Sequence, residues 1–223
     1  PSLAQPWPWH ANLASMFEQE YGQSLWPRLW MLFDSDEPDA RQMRRRLRHL
    51  TGRLWEQSFL LPLKNWLKQR GIPLSGHISP EEDPVLATCR STGIQRLVRH
   101  FDWTGYDLVT LPWEAEDAKI VGPIWAKSIA HRRGRPHMMV EMLACCGEGL
   151  TMAGMRRATD WLAIHGYDRF VIHGQFYRLD GMRKHEAPPS FFEQQPYWSC
   201  FDKLTGYQQR LADWIGKTKP AAT

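Results

Sequence analysis

Strand-like and helix-like segments alternate four times along the second two-thirds of this 223-residue chain. The strand candidates are short and largely apolar on both faces, which is typical of strands covered by helices in a parallel sheet. They comprise residues 72–78, 106–113, 137–145 and 167–174. The helices that follow them comprise residues 91–101, 122–132, 151–166 and 199–215. This order predicts an α/β fold built from parallel βα units with right-handed crossovers.

The first 70 residues have a helical pattern instead. Residues 12–33 form an amphipathic stretch that is interrupted around Gly22 and Pro27. Residues 39–70 continue with apolar side chains at helical spacing, and Pro62 is expected to kink this second helix. Gly71 follows as a C-cap would.

Two architectures are compatible with this order: an open doubly wound sheet, or part of a (β/α)8 (TIM) barrel. Neither the glycine fingerprint of dinucleotide-binding proteins nor a P-loop is present. Four units are half of a closed barrel, so the barrel interpretation predicts a partial barrel with additional N-terminal helices. We expect one domain over residues 1–223, with a helical part at 1–70 and βα units at 71–216, as a fragment of a larger protein.

Charge and composition argue against several other classes. The net charge is only +4, and the basic runs at residues 41–49 and 131–135 are interpreted as solvated helix faces rather than as a nucleic-acid site. The four cysteines have no zinc-type spacing and favour a reduced, intracellular-type environment. The chain, which starts at Pro1, contains neither a signal peptide nor an apolar run of membrane-spanning length, so no membrane partner is expected.

One carboxylate interrupts the third strand candidate. In "PHMMVEMLACCGEG", residues 136–149, Glu141 lies between apolar residues on both sides. Burying an unpaired charge costs several kcal/mol, so Glu141 is expected either to line a cleft or to pair with Arg135, Lys127 or Arg169.

Polar and aromatic side chains follow every strand candidate. Because the C-terminal ends of parallel strands converge at one end of a sheet or barrel, these residues are expected to meet there. Glu81 and Glu82 follow the first strand and, with Glu141, are the candidate catalytic residues. The candidate substrate-binding residues are His77, Trp113, His131, His173, Gln175 and Tyr177.

Two carboxyl groups across a cleft could hydrolyse a glycosidic bond, one as the acid and the other as base or nucleophile. Histidines and Gln175 would then bind sugar hydroxyls, and Trp113, Trp103 and Tyr177 would supply flat aromatic surfaces. A mixed metal site made from His77, Glu81, Glu141 and His173 is an alternative, although no HxH or HExxH spacing requires it. A carbohydrate-binding or truncated fragment without turnover is a further alternative.

Four phrases, taken in order, resemble those of a known family. They are "PWPWHANLASMFEQEYGQSLWPRL", "LKNWLKQRGIPLSGHISPEED", "KSIAHRRGRPHMMVEMLACCGEG" and "HGQFYRLDGMRKHEAPPSFFEQQPYW". In this order they are similar to the catalytic barrel of glycoside hydrolases related to family 106, the α-L-rhamnosidases. The resemblance spans residues 9 to 214, although family members are much larger and carry β-sandwich modules.

The resemblance implies an exo-acting glycosidase on a (β/α)8 barrel that uses two glutamates with inversion. Glu141 matches the glutamate at a strand end, and Glu81 matches the glutamate after the glycine–histidine pair, with Glu82 in the alternative register. His77, His131 and His173 match positions that line the sugar pocket. The expected partner is a carbohydrate substrate, with further domains outside this chain. No cofactor is expected; calcium is associated with some such barrels, but no ligand set can be assigned in this sequence.

Overall fold

The fold was described from a computed structural model, which describes residues 7–33, 37–78, 81, 83, 94–113, 121–134 and 137–217. Its α-helices are α1 (Leu13–Tyr21), α2 (Pro38–Trp55), α3 (Leu61–Lys68), α4 (Ile94–Val98), α5 (Val121–Arg132), α6 (Met152–Ile164) and α7 (Phe201–Lys217). Its strands are β1 (Ser75–Gly76), β2 (Trp103–Leu108), β3 (Met138–Met142) and β4 (Arg169–Ile172). Short 3-10 helices occupy Trp26–Leu32, Gly181–His185 and Trp198–Cys200.

The four strands form one parallel sheet in the order β1-β2-β3-β4, which is a half-barrel. Side chains alternate between the two faces of the sheet, and residues paired in the ladder share a face. Tyr106, Val140 and Phe170 are paired across β2, β3 and β4 and point toward the helices. We call this side the outer face and the opposite side the inner face.

The outer face holds the main hydrophobic core. Buried residues of α5, α6 and α7 all pack against it, including Ala126, Met155, Leu162 and Leu204. Helices on one side of a parallel sheet are the arrangement of a barrel wall, whereas a doubly wound sheet carries helices on both sides. The described residues therefore form a partial βα barrel, and the doubly wound alternative is not the arrangement seen.

Two smaller cores involve the N-terminal helices. The N-terminal core joins α1, the Trp26–Leu32 helix and α2 through residues such as Phe17 and Leu47. A second core joins the helical turn before α3, the chain just before β1 and α4 through Leu60, Leu74 and Leu97. The additional N-terminal helices that the sequence predicts are thus present and lead directly into the sheet.

Some predicted boundaries are corrected by the structure. The second strand begins at Trp103 rather than residue 106 and ends at Leu108 rather than 113. It ends before Pro112, which has no N–H to continue a ladder. The predicted helix at 39–70 contains a π-helical segment at Glu56–Leu60, which ends two residues before Pro62. A proline that cannot donate to the helix ladder is a common cause of such a local change in helix type.

The basic run in α2 contacts its own surroundings. Arg44 donates to the Met31 carbonyl, and the guanidinium groups of Arg46 and Arg48 lie over the rings of Tyr21 and Trp7.

None of the helices in the described ranges has the length and apolar character needed to span a bilayer.

Candidate active site

Glu141 lies on the inner face, at the C-terminal end of β3. The ladder pairs it with Asp107 of β2 and with Val171 of β4. Its flanking residues, Val140 and Met142, point to the outer face and are fully buried. The sequence around Glu141 is therefore apolar because its neighbours pack against the helices on the outer face. The carboxylate of Glu141 faces the inside of the half-barrel. The side chain keeps 32% of its surface exposed.

His77 connects two of the candidate glutamates. Its Nε2 is hydrogen-bonded to Glu141 Oε2 at 3.0 Å. Its Nδ1 lies 2.9 Å from Glu81 Oε1, in an ion-pair contact whose angle is not that of a hydrogen bond. Glu81 is itself only 3% exposed, and its Oε1 accepts a hydrogen bond from the Ile78 backbone N–H at 2.7 Å. His77 thus lies between one buried and one accessible carboxylate.

Asp107 is a functional candidate that the sequence analysis missed. One ligand atom from each of His77, Asp107 and Glu141 lies within 4.8 Å of the other two. We call these three residues together with Glu81 the carboxylate cluster. Gly105 lies two residues before Asp107 in β2 and allows β1 to approach β2 closely. A Cβ at this position would lie 2.2 Å from the Gly76 carbonyl oxygen. The close approach of β1 to β2 is what brings His77 to Asp107.

The carboxylates of the cluster hold His77 in its charged form. Burial alone would lower the pKa of His77, whereas contacts with Glu81, Asp107 and Glu141 raise it, and the net pKa is about 9. A protonated imidazole donates its Nε2–H to Glu141 Oε2 at 3.0 Å.

The contacts of His77 also limit the separation of Glu81 and Glu141. Since the two nitrogens of an imidazole are about 2.2 Å apart, Glu81 Oε1 and Glu141 Oε2 are at most about 8 Å apart. Carboxyl groups of glycosidases are about 5–5.5 Å apart in retaining enzymes and about 6.5–9.5 Å apart in inverting ones. The two glutamates predicted to act together are therefore close enough for this chemistry.

The sequence leaves open that Glu141 pairs with Arg135, Lys127 or Arg169, but no ion pair among the described residues joins it to Lys127 or Arg169. Glu141 is bound by His77, while Arg169 donates to Asp168 at 3.1 Å. Arg135 lies outside the described residues. Glu141 is thus a partly exposed carboxylate on an open face, as expected for a residue that meets a ligand.

Other predicted site residues lie farther along the loops. His173 follows β4, its backbone N–H donates to Met142, and its Nδ1 is buried without a hydrogen-bond partner among the described residues. Gln175 is exposed, and Tyr177 is 100% exposed. These three residues follow the C-terminal end of β4, which is the end where Glu141 lies, but no described hydrogen bond joins them to the carboxylate cluster.

Trp113 and His131 are placed differently. Trp113 follows β2 and stacks under the guanidinium group of Arg157 from α6, at 4.3 Å from its ring centre. His131 is exposed in the last turn of α5, which returns the chain to the N-terminal end of β3. His131 is therefore at the opposite end of the strands from Glu141. Glu82, the alternative catalytic residue, lies outside the described residues.

A second polar cluster lies at the N-terminal ends of β3 and β4. Asp168 is 1% exposed and accepts from the Met138 backbone N–H at 2.9 Å. The same carboxylate contacts His137 Nδ1 at 2.6 Å and Arg169 Nη1 at 3.1 Å. We call His137, Asp168 and Arg169 the Asp168 cluster. Its carboxylate is satisfied by three donors and is closed to solvent.

Comparison with known proteins gives a distant structural match. No family model matches this chain, and no curated protein matches its sequence. The solved structure of a rhamnosidase from Novosphingobium sp. PP1Y is similar, with a TM-score of 0.65 and 16% sequence identity. The match covers 95% of this chain and 21% of that chain, so this chain spans about a fifth of the length of the rhamnosidase. At this identity the likeness is one of fold: the chain has a distant rhamnosidase-like fold, and family 106 is not specifically supported.

Proposed function

We propose that this chain forms part of the catalytic barrel of a glycoside hydrolase that removes a terminal sugar, with an α-L-rhamnoside as the first substrate to test. The observation that carries the proposal is the position of Glu141. Its carboxylate is partly exposed on the inner face, at the strand end where barrels place their chemistry, and is hydrogen-bonded to His77. The similarity of fold to a rhamnosidase supports the substrate class.

In this proposal Glu141 acts as base or nucleophile, because its carboxylate is accessible from the inner face and is held in place by the hydrogen bond from His77. A second carboxyl group protonates the glycosidic oxygen as the bond to the sugar breaks. Glu81 and Asp107 are the two neighbouring candidates for that acid. Three carboxylates around one histidine also create a negative environment, which stabilises the positive charge that develops on the sugar ring.

The test is turnover of a panel of aryl glycosides by the 223-residue chain and by its Glu141→Gln variant. We expect release of the aryl group from at least one sugar, and a loss of about 10³-fold or more in kcat for Glu141→Gln with an unchanged melting temperature. Glu148→Gln is the matched control, because Glu148 follows the same strand but is hydrogen-bonded to Gln195 at 2.8 Å. Full activity of Glu141→Gln would reject the assignment. Silence across the panel with sugar binding retained would favour a carbohydrate-binding module.

A metal-dependent hydrolase is the second candidate, and the closeness of His77, Asp107 and Glu141 favours it. One imidazole and two carboxylates are a donor set used by zinc and other divalent ions. A bound ion could supply a nucleophilic water or polarise a substrate oxygen. The same panel, repeated after chelation and after readdition of Ca²⁺ or Zn²⁺, separates the candidates. Loss of turnover on chelation with recovery on readdition would support the metal.

A further inference from the structure

We propose that Glu81 is a positioning residue that fixes the ring of His77 against Glu141, and that it does not itself exchange a proton with the substrate. This inference rests on the proposed function, since it assigns a role within the same site. It changes the assignment made from the sequence, in which Glu81 was the second catalytic carboxylate.

The burial of Glu81 is the first reason. Its side chain is almost completely enclosed, whereas the side chain of Glu141 keeps about a third of its surface open. A general acid must come within about 3 Å of the oxygen that it protonates, or reach it through one water. Glu141 meets that condition from the inner face, and Glu81 meets it only through His77.

The anchoring of Glu81 is the second reason. Its Oε1 accepts the Ile78 backbone N–H at 2.7 Å and the same atom lies 2.9 Å from His77 Nδ1. This oxygen of Glu81 is held by the backbone immediately after β1 and thus sets the position of the His77 ring. The other nitrogen of that ring lies 3.0 Å from Glu141 Oε2. A buried carboxylate that orients a histidine is a recurrent arrangement, both behind catalytic nucleophiles and behind metal ligands.

If Glu81 acts through His77, the acid partner of Glu141 is the remaining carboxyl group of the cluster, that of Asp107. Asp107 is paired with Glu141 in the ladder, so both carboxylates point to the inner face. Positioning and chemistry are then divided between a residue after β1 and two residues within β2 and β3.

The experiment compares Glu81→Gln with Glu81→Ala, measured at about pH 5.5, where a histidine is protonated even at its ordinary pKa. Glutamine keeps an oxygen that can accept from Ile78 and face Nδ1, so kcat is expected to stay within about threefold of wild type. Alanine removes that oxygen, and kcat should fall about 10- to 100-fold with a smaller change in KM. A Glu81→Gln variant as inactive as Glu141→Gln would overturn the proposal, as would a fully active Glu81→Ala.

A readout that does not need turnover separates this proposal from the proposed function. The ring ¹H–¹³C signals of His77, assigned with His77→Gln, should be single and narrow in wild type and in Glu81→Gln. They should broaden or shift in Glu81→Ala, because the ring is no longer fixed. Identical signals in all three would reject the positioning role even in an active enzyme. If the signals broaden or shift only in Glu81→Ala but the chain hydrolyses no glycoside, the proposed function is rejected and the positioning role of Glu81 is kept. Should Glu81→Ala fail to fold, the glutamine variant still decides, because a catalytic acid cannot tolerate it.

Discussion

The two ends of the half-barrel carry similar polar clusters that differ in their balance of charge. At the N-terminal end, buried Asp168 contacts His137, Arg169 and the Met138 backbone N–H. At the C-terminal end, buried Glu81 contacts His77 and the Ile78 backbone N–H. In each case one enclosed carboxylate anchors a histidine to the backbone beside a strand.

What differs is the group beyond the histidine. His137 Nε2 lies 3.4 Å from Arg169 Nη2, so the Asp168 cluster contains one carboxylate and an arginine cation. His77 Nε2 instead meets Glu141, with Asp107 alongside, so the carboxylate cluster holds three acids around one imidazole. A cluster whose charges are matched stabilises the fold, whereas an excess of negative charge needs a cation, a proton or a cationic transition state to balance it. Together with the position of Glu141, this contrast favours the C-terminal end as the site of the proposed function.

The largest expected difference between the two clusters is in stability. Asp168→Ala leaves His137, Arg169 and the Met138 N–H without their shared acceptor, and should lower the free energy of unfolding by about 4 kcal/mol. Asp107→Asn removes a like charge beside Glu141 but also an attraction to the His77 cation. These two effects oppose each other, so the free energy of unfolding should change by less than about 1 kcal/mol. Urea unfolding followed by circular dichroism measures both. Equal destabilisation by the two substitutions would remove the distinction between a structural and a functional cluster.

Stability should also depend on pH through His77. Because the folded pKa of about 9 exceeds the unfolded value near 6.5, the stabilisation is fully present below about pH 6.5 and is lost as pH rises through about 9. The loss should amount to about 3 kcal/mol between these limits. Urea unfolding across this range checks it, with His77→Gln as the control in which the slope disappears. An equally steep loss in His77→Gln would assign the pH dependence to other groups.

The alternation of strands and helices and the exceptional position of Glu141 are predictable from the sequence, because each is a local pattern of apolar residues. The same pattern left a partial barrel and a doubly wound sheet both open, because it does not specify on which side of the sheet the helices pack. Asp107 had the same signal, a carboxylate inside the apolar run "YDLV", but its pairing with Glu141 depends on the register between β2 and β3. Register is a tertiary property that periodicity does not contain. His131 was grouped with the site because of the resemblance to the glycoside hydrolase family. A helix that follows a parallel strand ends at the far side of the sheet, and His131 lies in the last turn of such a helix.

The smallest expected effect is that of Arg169→Lys, which tests whether the Asp168 cluster is structural throughout. Lysine keeps the positive charge near Asp168. It lacks the second guanidinium nitrogen, Nη2, which approaches His137, and it lacks the planar guanidinium group, which lies 5.4 Å from the Trp103 ring centre. The free energy of unfolding should fall by about 1 kcal/mol, because the ion pair remains while the stacking and the shared geometry are lost. Glycoside turnover should stay within about twofold of wild type, since the described hydrogen bonds of the Arg169 side chain go to Asp168 and His137 rather than to the carboxylate cluster. A large loss of kcat with little change in stability would show instead that the inner face acts as one site along its whole length, and the contrast between its two ends would no longer hold.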